Sequence, residues 1–326
     1  MNSRTLGKTG ISVSEIGLGC WQFGGDFGPT DDAVSTATMQ AAVDAGVTFF
    51  DTADVYGGGR SEQVIGRFLP SAPGILHVAT KLGRNGDIFA SGFTYDDVKP
   101  HLMRNLANLG VSSIDLVQLH CIPTEVLREG AVFDVMDRLK TEGLCRNWGA
   151  SVETIEEAHL CIAHPGCATL QIIFNLFRQD AAWELFDAAQ AANVGIIVRL
   201  PLASGILSGK FGPDHTFAET DHRNYNADGA AFSVGETFSG IEMSKAIAAL
   251  DHIRAFVPGG WSMADFALRW ILDHPAVSTV IAGASRAEQV VANARASQLP
   301  PLSPDTHDAL RDVYEVNIRP LVRCAI

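Results

Sequence analysis

The sequence of 326 residues predicts an α/β fold in which eight parallel strands close into a (β/α)8 TIM barrel. Short runs rich in β-branched residues alternate with amphipathic helical stretches along nearly the whole chain, which is typical of consecutive βαβ units. Eight such units in roughly 280 residues fit a closed barrel better than an open, doubly wound sheet. The glycines after the first strand, in GLGCWQFGGDFG, lack the GxGxxG spacing and the directly following helix of a Rossmann domain. We therefore expect a single barrel domain over residues 1–326.

The eight predicted strands are, in chain order, 15–19, 47–51, 77–81, 114–120, 145–149, 169–174, 195–200 and 279–282. The helices that follow them are expected at 32–45, 61–68, 95–109, 132–142, 153–163, 181–192, 242–256 and 287–295. Local signals support the first helix, because Asp31 or Asp32 can cap its start and Gly46 can end it.

Four segments lie outside these units. Residues 4–13 contain a Gly-Lys-Thr-Gly turn between two short runs, which predicts an N-terminal hairpin that covers one end of the barrel. Residues 205–235 are rich in Gly, Asp and His without clear periodicity, so we expect a long loop after the seventh strand that acts as a lid or binding loop. Residues 262–273 and 304–316 are predicted to form extra helices towards the C-terminus.

Composition argues against several classes of protein. The 24 Lys and Arg residues against 37 Asp and Glu residues give a formal net charge of −13 without a basic run, so we expect no nucleic-acid or membrane partner. Hydrophobic residues make up 47% of the chain, which is enough for a large core and excludes a mainly disordered protein. The six cysteines form no CxxC pair and are interpreted as reduced thiols. The sequence shows no secretory signal and no membrane-spanning run, and we expect a cytoplasmic protein.

Ionisable side chains follow three consecutive predicted strands. The second strand ends in Asp51 and continues to Tyr56, the third ends in Lys81, and the fourth ends in His120. The active-site groups of a parallel barrel lie at the C-terminal ends of its strands, because the βα loops converge there. Each residue alone has an ordinary explanation, as a helix cap, a packed aromatic ring, a rim charge or a core imidazole. Four such groups at matching strand ends favour a catalytic site.

Longer motifs around these residues resemble the aldo-keto reductase family. The stretches FFDTADVYGGGRSE, VATK and LVQLH match that family, and GCWQFGG, LQIIFN, LPLASGILSGKF and IAGASRAEQVVAN extend the match along almost the whole chain. The resemblance is closest to the bacterial branch that is similar to potassium-channel β subunits and to sugar- or glyceraldehyde-phosphate reductases. It implies a (β/α)8 barrel, a nicotinamide cofactor and the reduction of a carbonyl group.

The four strand-end residues suit this chemistry. Hydride transfer to a carbonyl carbon leaves negative charge on the oxygen, which a proton donor must neutralise. The resemblance assigns this role to Tyr56, as acid in reduction and as base in oxidation. Lys81 is expected to lower the pKa of the phenol, while Asp51 holds Lys81 charged and in place. A neutral His120 would orient the carbonyl oxygen, and no metal is expected because no cluster has metal-ligand spacing.

The resemblance also assigns residues to the nicotinamide. Ser151 and Gln171 are expected to hold its carboxamide, although Val152 stands where the family usually has Asn. At the end of the seventh strand, Arg199 and Leu200 replace the usual aromatic residue and serine. The Arg199 guanidinium could stack on the nicotinamide ring, bring positive charge to the nicotinamide or the substrate, or point elsewhere and pair with an acid.

The last predicted helix is expected to bind the phosphate end of the cofactor. Helix N-termini favour anions, so Ser285 and Arg286 are candidates for a ribose 2′-phosphate, and we expect NADP, with NAD as the alternative. The other expected cofactor contacts are Cys20, Trp21, Asp51, Pro201, Leu202, Ala203, Gly205, Lys210, Arg223, Gly283, Gln289 and Asn293.

Two other functions stay open at this point. Lys81 could be the Schiff-base nucleophile of an aldolase-type barrel, although the GASRAEQ segment would then have no role. The resemblance to channel β subunits also allows a cofactor-binding sensor or scaffold with little turnover. The expected partner is a small-molecule aldehyde, ketone or sugar carbonyl, and the sequence carries no signal for the oligomeric state.

Overall fold

A computed structural model describes residues 1–28, 30–212 and 214–326 of the chain. Its strands are β1 (Ser3–Thr5), β2 (Ser12–Ser14), β3 (Ile16–Gly19), β4 (Phe49–Asp51), β5 (His77–Leu82), β6 (Leu116–His120), β7 (Trp148–Ser151), β8 (Cys167–Ile173), β9 (Gly195–Arg199) and β10 (Val277–Gly283). Strands β3 to β10 pair in parallel, each with the next along the chain, and β10 pairs with β3, so the sheet closes on itself. The predicted (β/α)8 barrel is confirmed.

Helices surround the barrel. The α-helices of the described residues are Asp32–Asp44, Arg60–Phe68, Gly86–Phe89, Tyr95–Leu109, Thr124–Glu129, Ala131–Thr141, Ile155–Ile162, Ala181–Glu184, Phe186–Ala191, His222–Tyr225, Met243–Arg254, Met263–Leu272, Ala287–Arg295 and Pro304–Val313. The Asp31 carboxylate accepts hydrogen bonds from the backbone N–H groups of Ala33 and Val34, which confirms the predicted cap of the first helix. None of the described helices is long and apolar enough to cross a bilayer.

Most elements agree with the prediction to within two residues at each end, and three differ by more. The fifth barrel strand is β7 instead of 145–149, because Cys145 forms only an isolated bridge and regular pairing with β6 starts at Trp148. The helix predicted over 181–192 is interrupted at Leu185, whose φ of −133° lies outside the helical region while its side chain is buried. The helix predicted over 304–316 ends at Val313 and continues as a π-helical turn over Tyr314–Ile318.

The N-terminal hairpin of β1 and β2 closes the end of the barrel at which the strands begin. Its residues Leu6 and Val13 are fully buried in the core. The turn approaches β9 so closely that a Cβ atom on Gly7, which has a φ of +50°, would lie 2.2 Å from the backbone nitrogen of Gly195. This end of the barrel is therefore filled, and a site can form only at the opposite, C-terminal end of the strands.

The long segment after β9 is more ordered than its composition predicts. It contains the helix His222–Tyr225 and the 3₁₀ turns Ala203–Ser208, Val234–Glu236 and Phe238–Gly240. The backbone N–H of His222 donates to the carbonyl of Asp26 at 2.9 Å, so this segment is fixed to the loop that follows β3. The segment thereby forms part of the wall around the open end of the barrel.

Candidate active site

Lys81, at the C-terminal end of β5, connects the neighbouring strand-end groups. Its ammonium donates hydrogen bonds to the Asp51 carboxylate, to the carbonyl of Thr52 at 2.9 Å and to the hydroxyl of Tyr56 at 3.2 Å. Lys81 and Asp51 are almost completely buried, whereas Tyr56 is half-buried. The structure therefore brings together three of the four residues that the strand ends predicted, in the order carboxylate, ammonium and phenol.

Two buried amides fix the Asp51 carboxylate from its other side. Gln118 on β6 and Gln171 on β8 each donate an amide N–H to Oδ2 of Asp51, at 3.0 and 2.8 Å. Gln171 also donates to the side-chain carbonyl of Gln118 at 3.1 Å. Gln171 was expected to hold a carboxamide group of the cofactor. It lines the cavity as that role requires, but its amide nitrogen is bonded to Asp51.

His120 lies on the other side of the Tyr56 ring. The two rings meet edge to face with their centroids 6.0 Å apart. His120 is buried, and its Nδ1 atom has no hydrogen-bond partner among the described residues. Burial, and then the positive charges of Arg84, Lys81 and Arg199, hold the pKa of His120 well below its ordinary value. The imidazole is therefore neutral, as the sequence predicts, and can hydrogen-bond an oxygen without carrying a charge.

Burial governs the protonation of Tyr56 and Lys81. It raises the pKa of the phenol above the ordinary value, and the opposite effect of the Lys81 ammonium does not compensate. The sequence predicted that Lys81 lowers the pKa of Tyr56. The charge of Lys81 does act in that direction, but the net shift of the Tyr56 pKa is upward, because burial of the hydroxyl, which the sequence does not reveal, has the larger effect. For Lys81, burial lowers the pKa, but Asp51 and Tyr56 raise it above the ordinary value. Both groups are thus protonated at neutral pH.

A cavity of about 980 Å³ extends from Tyr56 and His120 to the N-terminus of helix Ala287–Arg295. Its wall contains most of the residues that were assigned to the cofactor: Cys20, Trp21, Asp51, Gln171, Arg199, Pro201, Leu202, Gly205, Lys210, Arg223, Gly283, Ser285, Arg286, Gln289 and Asn293. Ser151 and Ala203 were also assigned to the cofactor, but they are buried behind this wall and do not line it. Ser151 lies at the end of β7 with its hydroxyl 3.8 Å from the sulfur of Cys121. The assignment of these two residues to the cofactor stays a prediction.

Aromatic rings form the cavity wall beside Tyr56. Trp21 stacks on Tyr56 with the ring centroids 5.7 Å apart, and it also contacts Phe27 and His222 at 5.1 and 4.6 Å. Its indole N–H donates to Asp26 at 2.9 Å, which fixes the ring. Trp21 thus covers the phenol from one face and narrows the access to its hydroxyl.

Arg199 turns towards an acidic residue instead of standing free at the cavity. Its Nη1 atom lies 3.4 Å from Oε1 of Glu236, and Nη2 donates to the backbone carbonyl of Val152 at 3.1 Å. Arg84, which follows β5, donates to the same carboxylate oxygen of Glu236 at 2.8 Å. Pairing with an acid was one of the three placements considered for Arg199, and it occurs at the cavity wall rather than away from it.

Arg84 and Glu236 were not among the residues predicted from the sequence. Arg84 stands only three residues after Lys81, so the position just past a strand end was a usable signal. Glu236 lies in the long segment after β9, where no periodicity or motif singles it out. The sulfur and carboxylate oxygens of Cys121, Glu153 and Glu236 lie within 4.8 Å of one another, but the two guanidinium groups on Glu236 oppose the binding of a metal cation there.

The far end of the cavity carries positive groups at a helix N-terminus. Ser285 and Arg286 are exposed there, and the side-chain carbonyl of Gln289 accepts the backbone N–H of Ser285 at 2.8 Å. Lys210 lines the same cavity. Arg223 is less available, because its Nε and Nη2 atoms already donate to both oxygens of Asp221 at 2.9 and 2.6 Å.

Comparison with known proteins agrees with this geometry. The model of the Aldo/keto reductase family matches residues 15–315. The chain belongs to the aldo/keto reductase family. It is 30% identical to Aldo-keto reductase YhdN of Bacillus subtilis over 90% of this chain and 87% of that protein. It is also 30% identical to a probable voltage-gated potassium channel subunit beta of Oryza sativa, over 97% of both chains. Among solved structures, a glycerol dehydrogenase of Gluconobacter oxydans superposes with a TM-score of 0.79 and 27% identity over 97% of this chain and 96% of that one. The resemblance and the barrel inferred from the motifs are thereby confirmed.

Proposed function

We propose that this member of the aldo/keto reductase family is an NADP-dependent oxidoreductase of an aldehyde, ketone or sugar carbonyl, in which Tyr56 exchanges a proton with the substrate oxygen. The observation that carries the proposal is the chain of contacts from Asp51 through Lys81 to the Tyr56 hydroxyl at the wall of the cavity. The glycerol dehydrogenase among the solved structures supports redox chemistry at a carbon–oxygen bond.

The proton transfer follows from the order of these groups. In the direction of reduction, the Tyr56 hydroxyl donates its proton to the carbonyl oxygen while the carbon accepts hydride. The phenolate that remains is stabilised by the Lys81 ammonium at 3.2 Å, and Asp51 balances the charge of that ammonium in the buried interior. The neutral His120 would donate a hydrogen bond to the same oxygen as negative charge develops. Oxidation of an alcohol uses the same path in reverse.

The residues around the cavity fit a dinucleotide that would supply or accept the hydride. Gly205 and Gly283 line the wall without side chains: a Cβ atom would lie 2.9 Å from the Phe211 ring at the first and 2.1 Å from the Gln22 side chain at the second. Arg286 and Lys210 would hold phosphate groups, and the start of helix Ala287–Arg295 favours the same charge. These cations support the 2′-phosphate of NADP over NAD.

Replacement of Tyr56 by phenylalanine tests this assignment. We expect purified protein to oxidise NADPH with at least one member of a panel of aldehydes, ketones and sugars, followed by absorbance. Tyr56→Phe should lower kcat by roughly 10²- to 10⁴-fold, the usual contribution of a general acid, with little change in the Kd of NADPH. Tyr225→Phe is a matched control, because Tyr225 lines the same cavity but its hydroxyl lies near Asp26, away from Lys81. Equal activity of Tyr56→Phe and the wild type would exclude Tyr56 as the acid.

The aldolase alternative is disfavoured by the surroundings of Lys81. A Schiff-base nucleophile must be an accessible, neutral amine. Lys81 is fully buried behind Tyr56, donates three hydrogen bonds and has a pKa above its ordinary value. The sensor alternative is supported by the relative described as a potassium channel subunit beta. Tight NADPH binding without turnover of any carbonyl in the panel would favour it.

A further inference from the structure

Two guanidinium groups, those of Arg84 and Arg199, line the cavity beside Tyr56 and His120. They come from opposite parts of the barrel, after β5 and at the end of β9, yet both contact the same oxygen of Glu236 at 2.8 and 3.4 Å. We propose that the substrate carries, besides its carbonyl group, an anionic group, either a carboxylate or a phosphate, which these two guanidinium groups bind. This inference rests on the proposed oxidoreductase function and narrows its substrate class.

The charges at this wall come from Arg84, Arg199, Glu236 and Glu153. Burial raises the pKa of Glu236, but Arg84 and Arg199 lower it well below the ordinary value, so Glu236 supplies one negative charge. Burial and the charge of Glu236 both raise the pKa of the neighbouring Glu153, which therefore resists ionisation. Burial raises the pKa of the Cys121 thiol to about 11, which leaves it neutral. Two guanidinium groups thus share Glu236 as their one completely buried carboxylate, and an anionic group of the substrate would give them a further partner.

The two guanidinium groups also have unused donors. Each guanidinium offers five N–H groups in a planar fork. Arg84 donates one hydrogen bond, to Glu236, and its distance of 3.7 Å to Glu153 is too long for a second. Arg199 donates to the carbonyl of Val152 and to the sulfur of Cys121, while its buried Nε atom has no partner within the described parts of the chain. A carboxylate or phosphate is the group whose geometry matches the N–H donors that remain on these two guanidinium groups.

The position of this wall suits recognition of the substrate. Arg84 lies over the ring of Phe232 at 5.3 Å, which supports the guanidinium from one face. Both cations contribute to the low pKa of His120, so they lie near the place where the carbonyl oxygen is expected. An anionic group a few bonds away from the carbonyl could therefore reach them while the oxygen stays beside Tyr56.

Matched pairs of substrates test the proposal. With NADPH as reductant, kcat/KM is measured for 4-oxobutanoate against butanal and for glycolaldehyde phosphate against glycolaldehyde. The wild type should prefer the charged member in at least one pair, and the preferred pair tells whether carboxylate or phosphate is recognised. Arg84→Met should lower the charged-to-neutral ratio of kcat/KM roughly 10- to 100-fold, which is the usual effect of losing a hydrogen bond to a charged group. Arg146→Met is the matched control, because Arg146 is an exposed arginine paired with Asp115 before β7, and its ratio should equal that of the wild type.

Several outcomes decide the matter. The proposal is overturned if the wild type prefers neither charged compound, or if Arg84→Met lowers kcat/KM equally for the charged and the neutral substrate of a pair. Either result leaves the oxidoreductase function intact. If Arg84→Met does not fold, Arg84→Lys keeps the charge without the fork and should retain only part of the preference. If no carbonyl is reduced at all, the proposed function fails. In that case, calorimetric titration with succinate or inorganic phosphate tests the anion site on its own. Binding to the wild type but not to the Arg84 variant supports the site, and the absence of binding to the wild type excludes it.

Discussion

Asp54, two residues before Tyr56, carries a buried carboxylate. Both of its side-chain oxygens are buried and have no hydrogen-bond partner among the described residues, and Nδ1 of His101 lies 4.0 Å away. Burial, and then the charge of Glu62, raise the pKa of Asp54 to about 7. Burial and Arg104 lower the pKa of His101, so this imidazole offers no positive charge at neutral pH. Ionised Asp54 therefore opposes folding, and we predict that Asp54→Asn stabilises the protein more as the pH rises.

The size of the effect follows from linkage between proton binding and folding. Because the pKa of Asp54 is raised from 3.8 to about 7, the folded protein binds more protons than the unfolded chain between these values, and stability falls as the pH rises through them. A tenfold change in an ionisation constant corresponds to about 1.36 kcal/mol, so the cost of ionising Asp54 grows from about 2 kcal/mol near pH 5.5 to about 4 kcal/mol near pH 8.5. The stabilisation by Asp54→Asn should widen by about 2 kcal/mol over this interval.

Urea unfolding of the wild type and Asp54→Asn at the two pH values, followed by tryptophan fluorescence and circular dichroism, measures this difference. Any penalty for burying the new amide is the same at both pH values and cancels in the comparison. Asp87→Asn serves as the control, because Asp87 also lies near His101, at 3.8 Å, but its side chain is 72% exposed, and its effect should not depend on pH. The reasoning would be refuted if Asp54→Asn raised the free energy of unfolding equally at both pH values, or if it lowered this free energy more at the higher pH.

Two further predictions concern the cavity. The kcat/KM for carbonyl reduction should not fall near the ordinary pKa of histidine, because the pKa of His120 is lowered. It should decline only above about pH 10, because the pKa of Tyr56 is raised and the proton donor must be protonated. A fall in kcat/KM near about pH 6.5 would show that His120 titrates there. Arg286→Leu should weaken NADPH binding about tenfold and leave NADH binding unchanged, as measured by quenching of protein fluorescence, since only the former has a 2′-phosphate; equal weakening of both would place Arg286 elsewhere.

The strand-end residues were predictable because the barrel geometry follows from a simple pattern. Once β4, β5 and β6 are parallel neighbours, their last residues must meet at one mouth, and the contacts of Lys81 with Asp51 and Tyr56 follow. The roles of these residues in catalysis stay predictions, as does the extent of the single domain over 1–326. The helix Ala287–Arg295 was equally predictable, since an acidic residue, Glu288, lies in its first turn and a basic one, Arg295, in its last.

Partnerships across long sequence distances were not predictable. The hydrogen bond from Arg84 to Glu236 spans 152 residues and joins two loops, and neither loop contains a periodicity that relates it to the other. The two hydrogen bonds of Gln171 with Asp51 and Gln118 are similar, because they depend on side-chain rotation inside the closed barrel. The direction of the Tyr56 pKa also depends on depth, which a sequence motif does not contain.

The buried charges at the open end of the barrel are those that the proposed reaction requires. A buried cation such as Lys81 costs stability unless an acid compensates it, and here Asp51 does so at close range. Compensation by Asp51 leaves the ammonium in place, where in the proposed reaction it would stabilise the negative charge on the phenol after proton donation. Neutral His120 completes the arrangement, because a protonated imidazole would add a further uncompensated charge beside Arg84 and Arg199. The same field that keeps His120 neutral would stabilise a carbonyl oxygen as it becomes negative, so in the proposed reduction these charges would act most strongly in the transition state.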